Sequence, residues 1–110
     1  MDCVFCKIIE GKIPSNKVFE NEYVLAFNDI EPKAPVHILI IPKKHIKDIN
    51  EISEENIKYV ESLMLSIKEI AKIAGVYESG YRIISNTGKD SGQEVPHLHF
   101  HLLGGKKLAQ

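Results

Sequence analysis

The chain has 110 residues, with 14 lysines and arginines against 15 aspartates and glutamates and a formal charge of −1. That length suits one domain over residues 1–110 with a modest core, and the mixed charge argues against broad electrostatic binding to nucleic acid or an anionic membrane surface. No run is apolar enough to span a bilayer, and Met1-Asp2-Cys3-Val4-Phe5-Cys6 lacks the basic and apolar regions of a signal peptide, so the expected location is cytoplasmic.

Cys3 and Cys6, the only cysteines, form a C-x-x-C that in a reducing compartment suggests metal or redox chemistry rather than a structural disulfide. Cys3 to Glu10 fits a short helical turn ending at Gly11, and Pro14 blocks its continuation. Lys17–Glu20 and Tyr23–Phe27 read as a hairpin. Asn28 to Pro35, with Asp29 and two prolines, reads as a loop. Val36-His37-Ile38-Leu39-Ile40-Ile41 is a nearly continuous apolar run, as expected of a central strand, and Pro42 ends it.

Ser53 is expected to cap a long helix with Glu54 and Glu55 in its first turn, and Gly75 to stop it. Ile57, Val60, Leu63, Met64, Ile67, Ile70, Ala71 and Ala74 recur at helical spacing and predict its core face. Tyr81–Ser85 reads as a strand and Asn86–Gly92 as a polar loop. The predicted architecture is α+β, an antiparallel sheet with one long helix on one face and one short helix. The other face or a sheet edge is left for a site or a partner.

The last stretch is Pro96-His97-Leu98-His99-Phe100-His101-Leu102-Leu103. In a β-strand, Leu98, Phe100 and Leu102 point to one face and the three histidines to the other. Three imidazoles about 7 Å apart on one face make a poor core, because each needs polar partners once buried. They suit a site. Alternation within a longer sequence also argues against a purification tag.

The pattern His-φ-His-φ-His-φ-φ, with φ apolar, resembles the signature of the histidine-triad family. Cys6-Lys7-Ile8-Ile9, Ile13-Pro14, Leu25-Ala26-Phe27-Asn28-Asp29-Ile30, Ala34-Pro35-Val36-His37, Ile41-Pro42-Lys43-Lys44-His45, Gly92-Gln93-Glu94-Val95 and Leu103-Gly104-Gly105 extend the resemblance to the Hint branch along nearly the whole chain. It implies a five-stranded antiparallel sheet continued across a homodimer. It also implies hydrolysis of the P–N bond of purine nucleoside 5′-phosphoramidates and aminoacyl-nucleotide adducts.

By this resemblance His99 attacks the α-phosphorus to give a nucleotidyl-histidine intermediate, with His101, His37 and His97 completing the catalytic set. An imidazole suits this work because its unperturbed pKa leaves it substantially uncharged near neutral pH. Asp29 and Ile30 match the nucleoside pocket, and Asn86, Gly92, Gln93 and Glu94 match phosphate and leaving-group contacts. Turn chemistry is the plainer explanation of Asp29 and Asn86 taken alone. Many eukaryotic members carry Ser at the position of Glu94 and an aromatic residue at that of Pro96.

Cys3, Cys6, His45 and His97 supply two thiolates and two imidazoles, a donor set for a tetrahedral structural zinc. Some members of the family resemble this pattern and hold zinc there. The zinc reading asks His97 to turn from the triad toward the metal and become a support of the site. No organic cofactor is implied. The alternatives are a dinucleoside polyphosphate hydrolase of the same superfamily and a zinc-held nucleotide-binding or interaction module with little turnover.

Overall fold

The computed structural model describes residues 3–110. Met1 and Asp2, the start of the segment read as lacking a leader, lie outside the described residues. The elements run α1 (Val4–Ile9), β1 (Lys17–Glu20), β2 (Val24–Asn28), β3 (Val36–Pro42), α2 (Ile57–Ile73), β4 (Tyr81–Ile84) and β5 (Phe100–Gly104), with short 3₁₀ turns at Ile49–Glu51 and Lys89–Ser91. The five strands form one antiparallel sheet in the order β1-β2-β3-β5-β4.

β2 and β3 are apolar on both faces because both faces are covered. Val24, Ala26, Ile38, Ile40, Phe100 and Leu102 form one core with Val60, Leu63, Ile70 and Ala71 of α2. Leu25, Phe27, Leu39 and Ile41 form a second with Phe5 and Ile8 of α1. The alternation of strand side chains thus assigns each residue to the long-helix or the short-helix side.

The long helix departs from expectation at its start. It begins at Ile57, and Ser53–Asn56 forms a separate turn in which the Asn56 N–H donates to the Ser53 carbonyl. The Asn56 side chain accepts the Ser53 N–H at 2.8 Å and donates to the Glu51 carbonyl at 2.9 Å, so it ties the turn back to the preceding loop and caps nothing in the helix. Ile57 and Met64, expected in the core, are each 47% exposed. The far end follows the sequence: Gly75 takes φ +78, its N–H donates to the Lys72 carbonyl, and that of Val76 donates to Ala71, a Schellman stop.

The histidine stretch also differs. Regular pairing starts at Phe100, and His97–His99 lie outside the sheet. The Leu98 N–H donates to the Ile46 carbonyl at 2.6 Å, drawing this segment toward the His45 loop. Leu98 still joins the α2-side core, so the predicted facing survives the loss of regular pairing. Gly105 turns the chain away at φ +87, where a Cβ would sit 2.9 Å from Pro35.

Candidate active site

On the α1 side of the sheet, a cleft of about 520 Å³ is lined by Phe5, Asp29, Ile30, Asn86, Gly92, Glu94, His37, His99 and His101, among others. β3 carries His37 opposite Leu103, and β5 carries His101 opposite Leu39. This register sets the two imidazoles diagonally on one face, with His37 Nε2 2.9 Å from His101 Nδ1.

Hydrogen-bond partners fix the tautomers. The Lys33 backbone N–H donates to His37 Nδ1 at 3.0 Å, so that nitrogen holds a lone pair and Nε2 bears the proton. His37 Nε2–H therefore donates to His101 Nδ1, which leaves His101 Nε2 protonated. His99 Nδ1 lies 2.7 Å from the His97 carbonyl, which only accepts, so Nδ1 is protonated and Nε2 holds a lone pair. The cleft is thus offered a nucleophilic nitrogen by His99 and an N–H by His101, with ring centroids 5.1 Å apart.

Charge state suits this arrangement. Burial, with His99 and His37 adding to it, pushes His101 down to about 4. Burial also holds His37 below the ordinary histidine range, against the opposing pull of Asp29. Asp29 has two tasks: Oδ1 accepts the Glu31 N–H at 2.8 Å, a turn, and Oδ2 lies 3.5 Å from His37 Nε2. Turn chemistry and site chemistry coexist there. Asp29, His37 and His101 also approach one another closely enough to suggest a cation site. Their lone pairs do not converge, because His37 Nδ1 already accepts from Lys33 and its Nε2 carries a proton.

His97 is placed elsewhere. It lines no part of the cleft and is fully buried beside the cysteines. Its Nδ1 lies 3.4 Å from Cys3 Sγ and 3.7 Å from Cys6 Sγ, and His45 Nδ1 lies 3.3 Å from Cys6 Sγ. A tetrahedral zinc with Zn–S near 2.3 Å and Zn–N near 2.0 Å separates sulfur from nitrogen by roughly 3.5 Å, so the donor set fits the ion. His97 Nε2 lies 3.0 Å from the Pro42 carbonyl, so Nε2 is protonated and the lone pair of Nδ1 faces the thiols. Burial, then the neighbouring Cys3 thiol, pushes Cys6 up to about 11, and a bound cation would oppose that shift.

Gln93 is not brought into the cleft. Its amide accepts the Gly88 N–H and donates to the Lys47 and Val95 carbonyls, pinning the loop that carries Gly92 and Glu94. The Asn86 side chain lines the cleft and makes no hydrogen bond among the described residues. Sequence reasoning missed Phe5, whose ring stands edge-on to His99 at 5.2 Å and forms part of the wall. Its position between the two cysteines was the available signal. It also missed Lys33, whose backbone N–H sets the His37 tautomer and whose charge helps hold His37 neutral, because the backbone contact leaves no mark in the sequence.

A model of the HIT domain matches residues 10–108 of the chain. The protein belongs to the HIT family. A histidine triad protein from Clostridium difficile is 51% identical, covers 100% of this chain and 96% of its own, and superposes with a TM-score of 0.94. A HIT family hydrolase from Clostridium thermocellum is 47% identical over 99% and 95% of the two chains, with a TM-score of 0.95. Purine nucleoside phosphoramidase of Escherichia coli K12 is 45% identical over 107 residues, 97% of this chain and 90% of that relative. An uncharacterised HIT-like protein of Helicobacter pylori is 49% identical over 104 residues, 94% of this chain and 97% of that relative. The five-stranded antiparallel sheet with one long and one short helix is the HIT fold.

Proposed function

We propose that this HIT protein hydrolyses the P–N bond of purine nucleoside 5′-phosphoramidates and aminoacyl-nucleotide adducts. The observation that carries the reading is the pairing of a His99 Nε2 lone pair with a His101 Nε2–H at one cleft. The 45% identity to the E. coli phosphoramidase supports it. His99 Nε2 attacks the α-phosphorus, and the new N–P bond replaces the bond to the amine. The charge that develops on the ring is stabilised by the His97 carbonyl, which already accepts the Nδ1–H at 2.7 Å.

The departing nitrogen needs a proton. The His37–His101 pair, low in pKa in the free cleft, gains one from solvent at His101 Nδ1 against the anionic phosphate, as the His37 Nε2–H turns to Asp29 Oδ2, 3.5 Å away. His101 passes it to the amine through Nε2. Water then attacks phosphorus, the N–P bond breaks, and the water's proton returns to the pair. In this reading Asp29 accepts from ribose hydroxyls, Ile30 packs on the base, and Asn86, Gly92 and Glu94 meet phosphate and leaving group. Ile30 is 94% exposed at the cleft wall, where a bound base would cover it.

Cys3, Cys6, His45 and His97 hold a structural zinc in this proposal, which ties α1 to the segment before β5. The sheet continues across a homodimer: β4 is an open edge, and α2 exposes Ile57, Leu65 and Ile73. No helix among the described residues is long and apolar enough to cross a membrane.

The test is a steady-state assay with adenosine 5′-phosphoramidate, with a dinucleoside polyphosphate in parallel and His99→Ala as control. Preferential turnover of the phosphoramidate, absent in the variant, supports the reading. Preference for the dinucleoside compound replaces it with the polyphosphate hydrolase. Nucleotide binding without turnover of either compound replaces it with a binding module.

A further inference from the structure

The metal cluster and the cleft meet at His97. Its ring presents Nδ1 to Cys3 and Cys6, while its backbone carbonyl accepts the proton that fixes His99. Residues 97–99 have no regular sheet pairing, since β5 begins at Phe100. The place of the His97 carbonyl therefore depends on what grips the segment: the His97 N–H on Val95, the Leu98 N–H on Ile46, the Ser85 hydroxyl on the His99 carbonyl, the His97 Nε2–H on Pro42, and the cysteine cluster.

A second connection runs through Phe5. It lies between the two cysteines in sequence, and its ring stands edge-on to His97 at 5.7 Å and to His99 at 5.2 Å. His45 completes the donor set and stacks edge-on against His97 with centroids 5.0 Å apart, yet lines no part of the cleft.

We propose that His97 and Phe5 are positioning residues through which a divalent metal held by Cys3, Cys6, His45 and His97 sets the orientation of His99 in the cleft. Metal occupancy then controls turnover as well as folding. With the cluster closed, the His97 ring has two anchors on opposite edges, and its carbonyl cannot swing away from His99. With it open, Nδ1 of that ring keeps only weak thiol hydrogen bonds opposite the Pro42 contact, the Phe5 helix loosens, and His99 loses its fixed tautomer and its wall. The reorientation of one nucleophile by about 1 Å is enough to cost a large factor in rate.

His45→Asn tests this, because the change removes a metal ligand and leaves every cleft-lining side chain in place. His45→Cys, which keeps a ligand, is the rescue. Three quantities are read: zinc per chain, the His99 Nδ1–H resonance in protein labelled with ¹⁵N-histidine, and kcat and KM for adenosine 5′-phosphoramidate. The expected result in His45→Asn is loss of zinc, loss or broadening of that resonance, and kcat lower by about tenfold or more with KM within about threefold. His45→Cys restores all three.

Zinc-free His45→Asn that keeps both the resonance and the wild-type kcat overturns the proposal and leaves the cluster a staple for the N-terminal helix. Wild type that binds no zinc overturns it as well. If His45→Asn fails to fold, wild type stripped of zinc and then reloaded supplies the same readouts. The kinetic arm rests on the phosphoramidase reading, whereas the resonance does not. A zinc-dependent resonance without turnover would therefore sink that reading alone.

Discussion

Two histidine clusters share the short-helix side of this sheet, and their residues are interleaved in sequence. His97 and His45 turn ring nitrogens toward two sulfurs, whereas His37, His99 and His101 hold one another and the backbone. What separates His97 from His37 is the partner on the second nitrogen of the ring. The Pro42 carbonyl leaves the His97 lone pair facing the thiols, which makes a ligand. The Lys33 N–H leaves the His37 proton facing His101, which makes a proton path. One side-chain type becomes a metal ligand or an acid–base group according to a backbone hydrogen bond several residues away.

Substitutions in the two clusters differ in what they change first. His99→Ala lowers kcat by about 10³-fold or more while keeping the bound metal, because it removes the group that attacks phosphorus and none of the metal ligands. Cys3→Ser acts first on stability: loss of the metal lowers it by about 3 kcal/mol, or roughly 15 °C in melting temperature, as calorimetry of loaded protein would show. Equal melting curves with and without chelator would erase the distinction between the clusters.

His37→Ala sharpens the view of the proton path. Without the His37 Nε2–H, His101 is free to take either tautomer, and kcat falls by about tenfold with KM nearly unchanged. An unaltered kcat would show that His101 needs no partner.

Acid bears on both clusters, because burial lowers His97 to about 4 as it does His101, and substitution in the cleft isolates the cleft's share. Folding lowers the pKa of His101 to about 4 and that of His37 below its ordinary value, so the unfolded chain binds more protons between those values and the ordinary one near 6.5. The stability these neutral rings contribute is complete above about pH 6.5 and is lost as pH falls toward 4. Urea denaturation at constant zinc should show this slope in wild type and a shallower one in His101→Asn. An equal slope in both would place the acid sensitivity elsewhere.

The smallest effect belongs to the cleft rim. Ile30→Ala removes apolar area that only a ligand would cover, so KM rises about threefold to tenfold, near 1 kcal/mol, with kcat unchanged. Unchanged KM would remove Ile30 from the nucleoside contacts.

The sequence alone determined much of this molecule. The nearly continuous apolar run Val36–Ile41 announced a central strand, the Gly75 stop was legible from one glycine, and the alternation of Leu98, Phe100 and Leu102 with histidines assigned their faces correctly. These are local periodicities, and a pleated or helical backbone converts them directly into facing. The pairing of Cys3-x-x-Cys6 with His45 and His97 was also accessible, because a metal restricts its donors to few residue types.

Only the tertiary structure decided the rest. The start of α2 moved to Ile57 because the Asn56 amide answers to Ser53 and Glu51, a choice made by the loop it packs on. Gln93 proved to hold a loop, and Phe5 became a wall between metal and nucleophile. The roles of the histidines were settled by the Lys33 N–H and by the carbonyls of Pro42 and His97. Every residue offers a backbone donor or acceptor of the same kind, proline's missing N–H aside, so no letter of the sequence records which one will face a given imidazole.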